Sequence, residues 1–146
     1  MFGLKPSKEK SERTLALING IFSQKVQDAQ KYTVAYAYYS KSGFFTKTMY
    51  SYVIGFSEAE RELVVIPIDS DANVLGEPLI FNKSNAVSIK TGLQGDTILK
   101  ANGLEKDLRF MVPGYTPPAL ENAYVLPVEQ IDAAVKFKDF VKGGFN

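Results

Sequence analysis

The chain has 146 residues and carries 17 Lys plus Arg against 16 Asp plus Glu, so no global field draws it to nucleic acid or anionic lipid. Its hydrophobic share of 45% and charged share of 23% are globular, and this length buries a core without staples. The absence of His and Cys excludes Ser-His-Asp and Cys-His machinery, His-ligated metals, disulfides and zinc knuckles. Chemistry by Asp, Glu, Lys, Tyr or Ser remains open, as does no chemistry at all.

Residues 1–31 read as a helical lead-in. Leu15, Ile18 and Phe22 fall at i, i+3 and i+7 with Leu17 and Ile21 beside them, one apolar stripe at helical spacing. Ser11 is the expected N-cap, Gly20 weakens the helix, and the polar run 23–31 is expected to end in an exposed turn. The basic residues Lys5, Lys8, Lys10 and Arg13 are interrupted by Glu9 and Glu12, and no apolar run approaches the ~20 residues that span a bilayer. The expectation is a cytoplasmic protein with no integral membrane segment.

From Tyr32 the period changes to two. Expected strands cover 32–39, 48–56, 62–68, 78–81, 86–90, 97–101 and 107–112, separated by Gly, Asn, Asp and Ser turns. With no helix between them, six or seven short strands argue for an antiparallel open barrel or sandwich rather than a parallel sheet. Residues 113–126 form one long connection containing Pro117-Pro118. Pro127 then suits the first position of a closing helix over 127–142, which sets Ile131, Ala133, Ala134, Phe137, Phe140 and Val141 on one side. The fold expected is a mainly β (α+β) single domain over 1–146, with an N-terminal helix and a C-terminal capping helix.

Over 32–142 this strand order closed by a terminal helix resembles the pleckstrin-homology-like fold, in particular its small bacterial versions. Family members typically place a Trp in that helix, where this chain has Phe137 or Phe140. The resemblance implies binding of lipids, peptides or proteins, or self-assembly, rather than catalysis. It also implies basic, phosphate-holding residues in the loop joining the first two strands. Lys41 and Lys47 stand there, while Met49 and Tyr50 occupy the place where an Arg is often found.

The residues themselves offer several sites. Lys41 and Lys47 can hold an anion while Phe44 and Phe45 dip into a membrane or a partner groove. Tyr32, Tyr36 and Tyr38 share one strand face, with Tyr39 on the other; cross-strand aromatic pairing is the commoner explanation of such tyrosines, and a protein interface at Tyr36 and Tyr38 comes second. Asp69, Asp71 and Asn73 open like a calcium loop, but Val74 replaces the needed Gly and Ile80 the bidentate Glu, so a hairpin turn is the reading. Glu58, Glu60 and Glu62 alternate along one turn, without the opposed placement that glycoside hydrolysis needs. The expectation is therefore a binding or assembly module without cofactor or metal. Its partner is a protein, including a second copy through the N-terminal helix; the alternative is an anionic lipid surface. No nucleic-acid motif is present, and a carboxylate- or Tyr-based enzyme is the remote third reading.

Overall fold

The computed structural model describes residues 5–44, 47–118 and 125–146. Helix α1 (Lys8–Lys25) begins one turn earlier than expected, because the N-cap is Ser7, whose hydroxyl accepts from the Lys10 N–H at 3.2 Å. Ser11 is inside the helix and buried. Its Oγ accepts from the Glu129 N–H at 2.8 Å, so this hydroxyl ties α1 to the chain entering the last helix. The helix runs through Gly20 unbroken, and a Cβ there would meet nothing within 4 Å.

Seven strands follow: β1 (Thr33–Ser42), β2 (Lys47–Ser57), β3 (Glu62–Ile68), β4 (Leu79–Phe81), β5 (Ala86–Thr91), β6 (Thr97–Ala101) and β7 (Leu108–Phe110). They form two antiparallel sheets, β1-β2-β3-β4 and β5-β6-β7. One bridge joins the sheets: Tyr38 N–H donates to the Met111 carbonyl at 3.0 Å, and Met111 N–H returns to Tyr38 at 2.7 Å. The strand sequence around the molecule is thus β4-β3-β2-β1, then β7-β6-β5, an open curl that among the described residues ends at β4 and β5.

The four-stranded sheet is covered on both faces, which explains why β3 reads as an almost unbroken apolar run. Val53, Val64, Ile66 and Ile68 point to the side where α1 lays Ile18, Ile21 and Phe22. Alternate residues Ala35, Ala37, Ile54, Phe56, Leu63 and Val65 point to the second sheet and to the last helix. Gly55 sits under the Phe22 ring, and the missing side chain is what lets the helix approach.

The closing helix α2 (Ile131–Gly143) starts four residues later than expected, and Pro127 is not in it. Residues 125–130 run extended instead. Tyr115 bridges Glu129, Thr116 N–H donates to the Val128 carbonyl at 2.9 Å, and Gln130 N–H donates to Gly114 at 2.7 Å. Burying Val125 and Val128 in the α1-side core favours this extended path over an additional helical turn. Beyond it, Phe137 and Phe140 plug the barrel interior, packing on Phe56 with ring centroids 5.2 and 5.6 Å away.

Arg61 fastens that plug, and nothing in the sequence singles it out. It is a turn residue with φ of 49° between β2 and β3. Its guanidinium donates to the carbonyls of Phe140, at 2.5 Å, and Gly144, and stands 4.4 Å from the Phe140 ring centroid. A cation is thereby set against the negative end of α2. Replacing Arg61 by Met keeps much of the packing but leaves these carbonyls unmet, and chemical denaturation is expected to show a loss of about 2 kcal/mol.

Candidate functional site

Strand parity divides the first hairpin between two sides of the sheet. On β1 the core residues Ala35 and Ala37 are followed on the same face by Tyr39 and Lys41, and on β2 the residues Tyr50 and Tyr52 lead into Ile54 on that face. These four side chains line an open cleft of about 510 Å³ with Lys106, Asp107, Leu108 and Arg109 from the approach to β7 and its first residues. Three cations, Lys41, Lys106 and Arg109, thus face one carboxylate, Asp107. Arg109 also reaches Asp96 at 3.7 Å, which sets its position at the cleft wall.

The tyrosines give the cleft an aromatic wall with hydroxyl groups. Tyr52 is half-buried against Phe110, ring centroids 6.3 Å apart, and burial pushes its phenol pKa up. It is therefore protonated at neutral pH and offers an O–H donor. Tyr50 is exposed beside it, and Lys41 and Lys106 line the same opening. Such a set of N–H and O–H donors with an aromatic wall can hold an oxyanion.

The structure separates the two lysines expected to act together. Lys47 lines a different cavity of about 420 Å³ with Met49, Ser51, Ile68, Asp69 and Leu75. Paired strands in register put odd-numbered β1 and even-numbered β2 residues on one face, so Lys41 and Lys47 diverge. Lys106 and Arg109, 65 and 68 positions along the sequence from Lys41, supply the companion charges instead; the sequence shows only their basic character. Phe44 stands at the hairpin tip, 93% exposed, while Phe45 lies outside the described residues.

Tyr36, expected at a partner surface, is fully buried and cannot touch one. Its hydroxyl shares a hydrogen bond with Ser51 Oγ at 2.6 Å and accepts from the Leu126 N–H at 3.2 Å, while burial pushes its pKa up. Tyr38 is half-buried and stacks along the same face with its ring centroid 6.4 Å from that of Tyr36. The tyrosine face is therefore largely covered by the strand's own neighbours. The physical reason is that α1 and residues 125–128 lie over it.

The acidic runs are local structure. Asp69 accepts from the backbone N–H of Asp71 and Asn73 at 2.9 and 2.8 Å and from Asn73 Nδ2 at 3.1 Å, bonds that hold its carboxyl below the usual range. Glu60 pairs with Lys31 at 3.2 Å, and Glu62 accepts from the Tyr32 hydroxyl at 2.5 Å and from Asn82 at 3.2 Å. Among the described residues no three metal-ligating side chains converge, and no helix is long and apolar enough to cross a membrane. Set against known proteins, the chain matches no family model, no curated protein and no solved structure.

Proposed function

We propose that the chain is a non-enzymatic binding module of pleckstrin-homology-like architecture that holds an anionic group in the cleft of Tyr39, Lys41, Tyr50, Tyr52, Lys106 and Arg109. The observation carrying this reading is the convergence of three cations and a tyrosine wall from sequence-distant strands on one concave opening. The strand sequence β4-β3-β2-β1, β7-β6-β5 plugged by α2 supports the architectural part. Phe44, exposed in the hairpin that carries Lys41, is an apolar group on the same connection, which suits a headgroup at a membrane surface facing the cytoplasm.

Assembly through the N-terminal helix loses its motive, because Ile18, Ile21 and Phe22 are covered by the chain's own sheet. A protein partner remains attractive at the strand edges rather than at that helix.

Vesicle sedimentation and titration with inositol hexakisphosphate test the reading together. Binding to phosphatidylserine-containing vesicles is expected, weakening as salt rises, with no binding to pure phosphatidylcholine. At about 1 kcal/mol per basic residue near an anionic surface, Lys41→Ala with Lys106→Ala should weaken it tenfold or more. Lys47→Ala should change little, since that side chain lines the other cavity. Phe44→Ser should reduce vesicle binding and leave inositol hexakisphosphate binding intact. Equal binding to neutral vesicles, or indifference to the Lys41/Lys106 pair, overturns the proposal.

A further inference from the structure

The outward edge of β1 is partnered residue by residue until the partners stop. In an antiparallel strand, backbone groups face a given edge at every second residue. At Tyr38 the outward N–H and C=O pair with Met111. At Tyr36 they meet the side chain of Gln130, which accepts from the N–H at 2.9 Å and donates to the carbonyl at 2.8 Å, standing in for a strand. The next outward pair belongs to Val34, and among the described residues no group meets it.

Val34 forms one side of a groove of about 760 Å³ between the N-terminal halves of α1 and α2. Leu15, Ile131 and Ala133 are its apolar walls, and Ile131 is exposed. The first turn of α2 borders the same groove with no side-chain cap, because Gln130, in the cap position, has turned its amide to β1. The N–H groups of Ile131, Asp132 and Ala133 therefore lack intrahelical acceptors. Three carboxylates, Glu12, Glu129 and Asp132, border the groove; Lys8 reaches Glu12 at 3.9 Å and Lys5 reaches Glu129 at 3.3 Å, both pairs on the surface, and Asp132 has no ion pair among the described residues, so the rim keeps a net negative charge.

This combination selects the occupant. Free strand-edge groups ask for another main chain, and the helix N–H groups ask for acceptors. The acidic rim disfavours an anion there, leaving neutral peptide carbonyls as the acceptors and cationic side chains as the rim partners. Helices on both sides admit a lone extended segment more easily than the edge of a second folded sheet. We propose that this groove takes an extended segment of a partner protein, alternating basic and apolar residues, which adds to β1 at Val34. The site is separate from the anion cleft and does not depend on it.

The probe is an eight-residue peptide alternating lysine and valine, blocked at both ends, titrated into the full chain and followed by amide NMR. Saturation should slow hydrogen exchange of the Val34 amide at least tenfold and shift the Leu15 and Ile131 amides. Val34→Pro removes the outward N–H, which bonds no group among the described residues, and should weaken binding about fivefold; because the Val34 side chain also packs against the α1-side core, retention of the fold is read from the dispersion of the other amide signals. Glu12→Gln with Asp132→Asn should weaken it as well and flatten its salt dependence. The assignment is overturned if Val34 gains no protection at millimolar peptide, or if a glutamate–valine counterpart binds equally. It is also overturned if Val34→Pro and the charge variant both bind normally, or if Val34 is protected by raising protein concentration alone, the mark of a second copy.

Discussion

Gly55→Ala is expected to cost about 3 kcal/mol or more in urea denaturation, and Gly55→Val to leave α1 undocked. A Cβ on Gly55 would lie 2.1 Å from Phe22 Cζ and 2.2 Å from Cε2, closer than any real contact. Neither side can yield cheaply. Gly55 is in a strand held on both flanks, opposite Val34 and Val64. Phe22 is fully buried and set edge-on to Tyr32 with centroids 5.4 Å apart. Phe22→Ala alone should cost about 3–5 kcal/mol through the cavity it leaves. The double variant Gly55→Ala with Phe22→Ala should cost clearly less than the two losses added, because the new methyl enters the vacated space. Additive losses would mean that the glycine matters for backbone freedom and not for the close approach of helix and sheet.

Gln130→Leu is expected to be the second large effect, about 3 kcal/mol. The Gln130 side chain is buried and makes three bonds, with Tyr36 N–H, with the Tyr36 carbonyl and, from Nε2, with the Pro113 carbonyl at 2.9 Å. A leucine of similar size fills the space and leaves all three backbone groups without their partner, the two of Tyr36 buried and that of Pro113 partly so. Gln130→Glu isolates the donor half of the role. Its carboxylate still accepts from Tyr36 but meets two carbonyl oxygens, so its penalty should be largest at neutral pH. That penalty should shrink toward acid pH, where protonation restores one donor. The local check is the Tyr36 amide, whose hydrogen exchange should accelerate in both variants beyond the change in global stability.

Most elements were legible because their periods are local. The short apolar runs of β3 and β6, bounded by turn residues, mark those strands at their observed ends, Glu62–Ile68 and Thr97–Ala101, and the spacing of Phe137, Phe140 and Val141 marks the buried side of α2. Helix starts were less legible, since Ser7 and Ser11 are equally good caps in sequence. Only the docking of Ser11 on Glu129 shows which of them serves the tertiary structure.

The candidate site shows the same division more sharply. Lys41 is conspicuous in its hairpin, but its companions Lys106 and Arg109 come from the far side of a sheet closure made by one bridge, Tyr38 to Met111. Likewise, Gln130 is expected inside the closing helix but stands at its cap position and acts as a substitute strand, because the unpaired edge at Tyr36 makes a stronger demand than the helix end. By itself the sequence determined the element types, the antiparallel class and the exclusion of His and Cys chemistry, all properties of composition and of neighbours a few residues apart. Which face each strand shows to the interior, which charges share a cleft and which edge stays open were decided only by the tertiary structure. Those depend on pairings between residues far apart in the chain, whose energies no local pattern records.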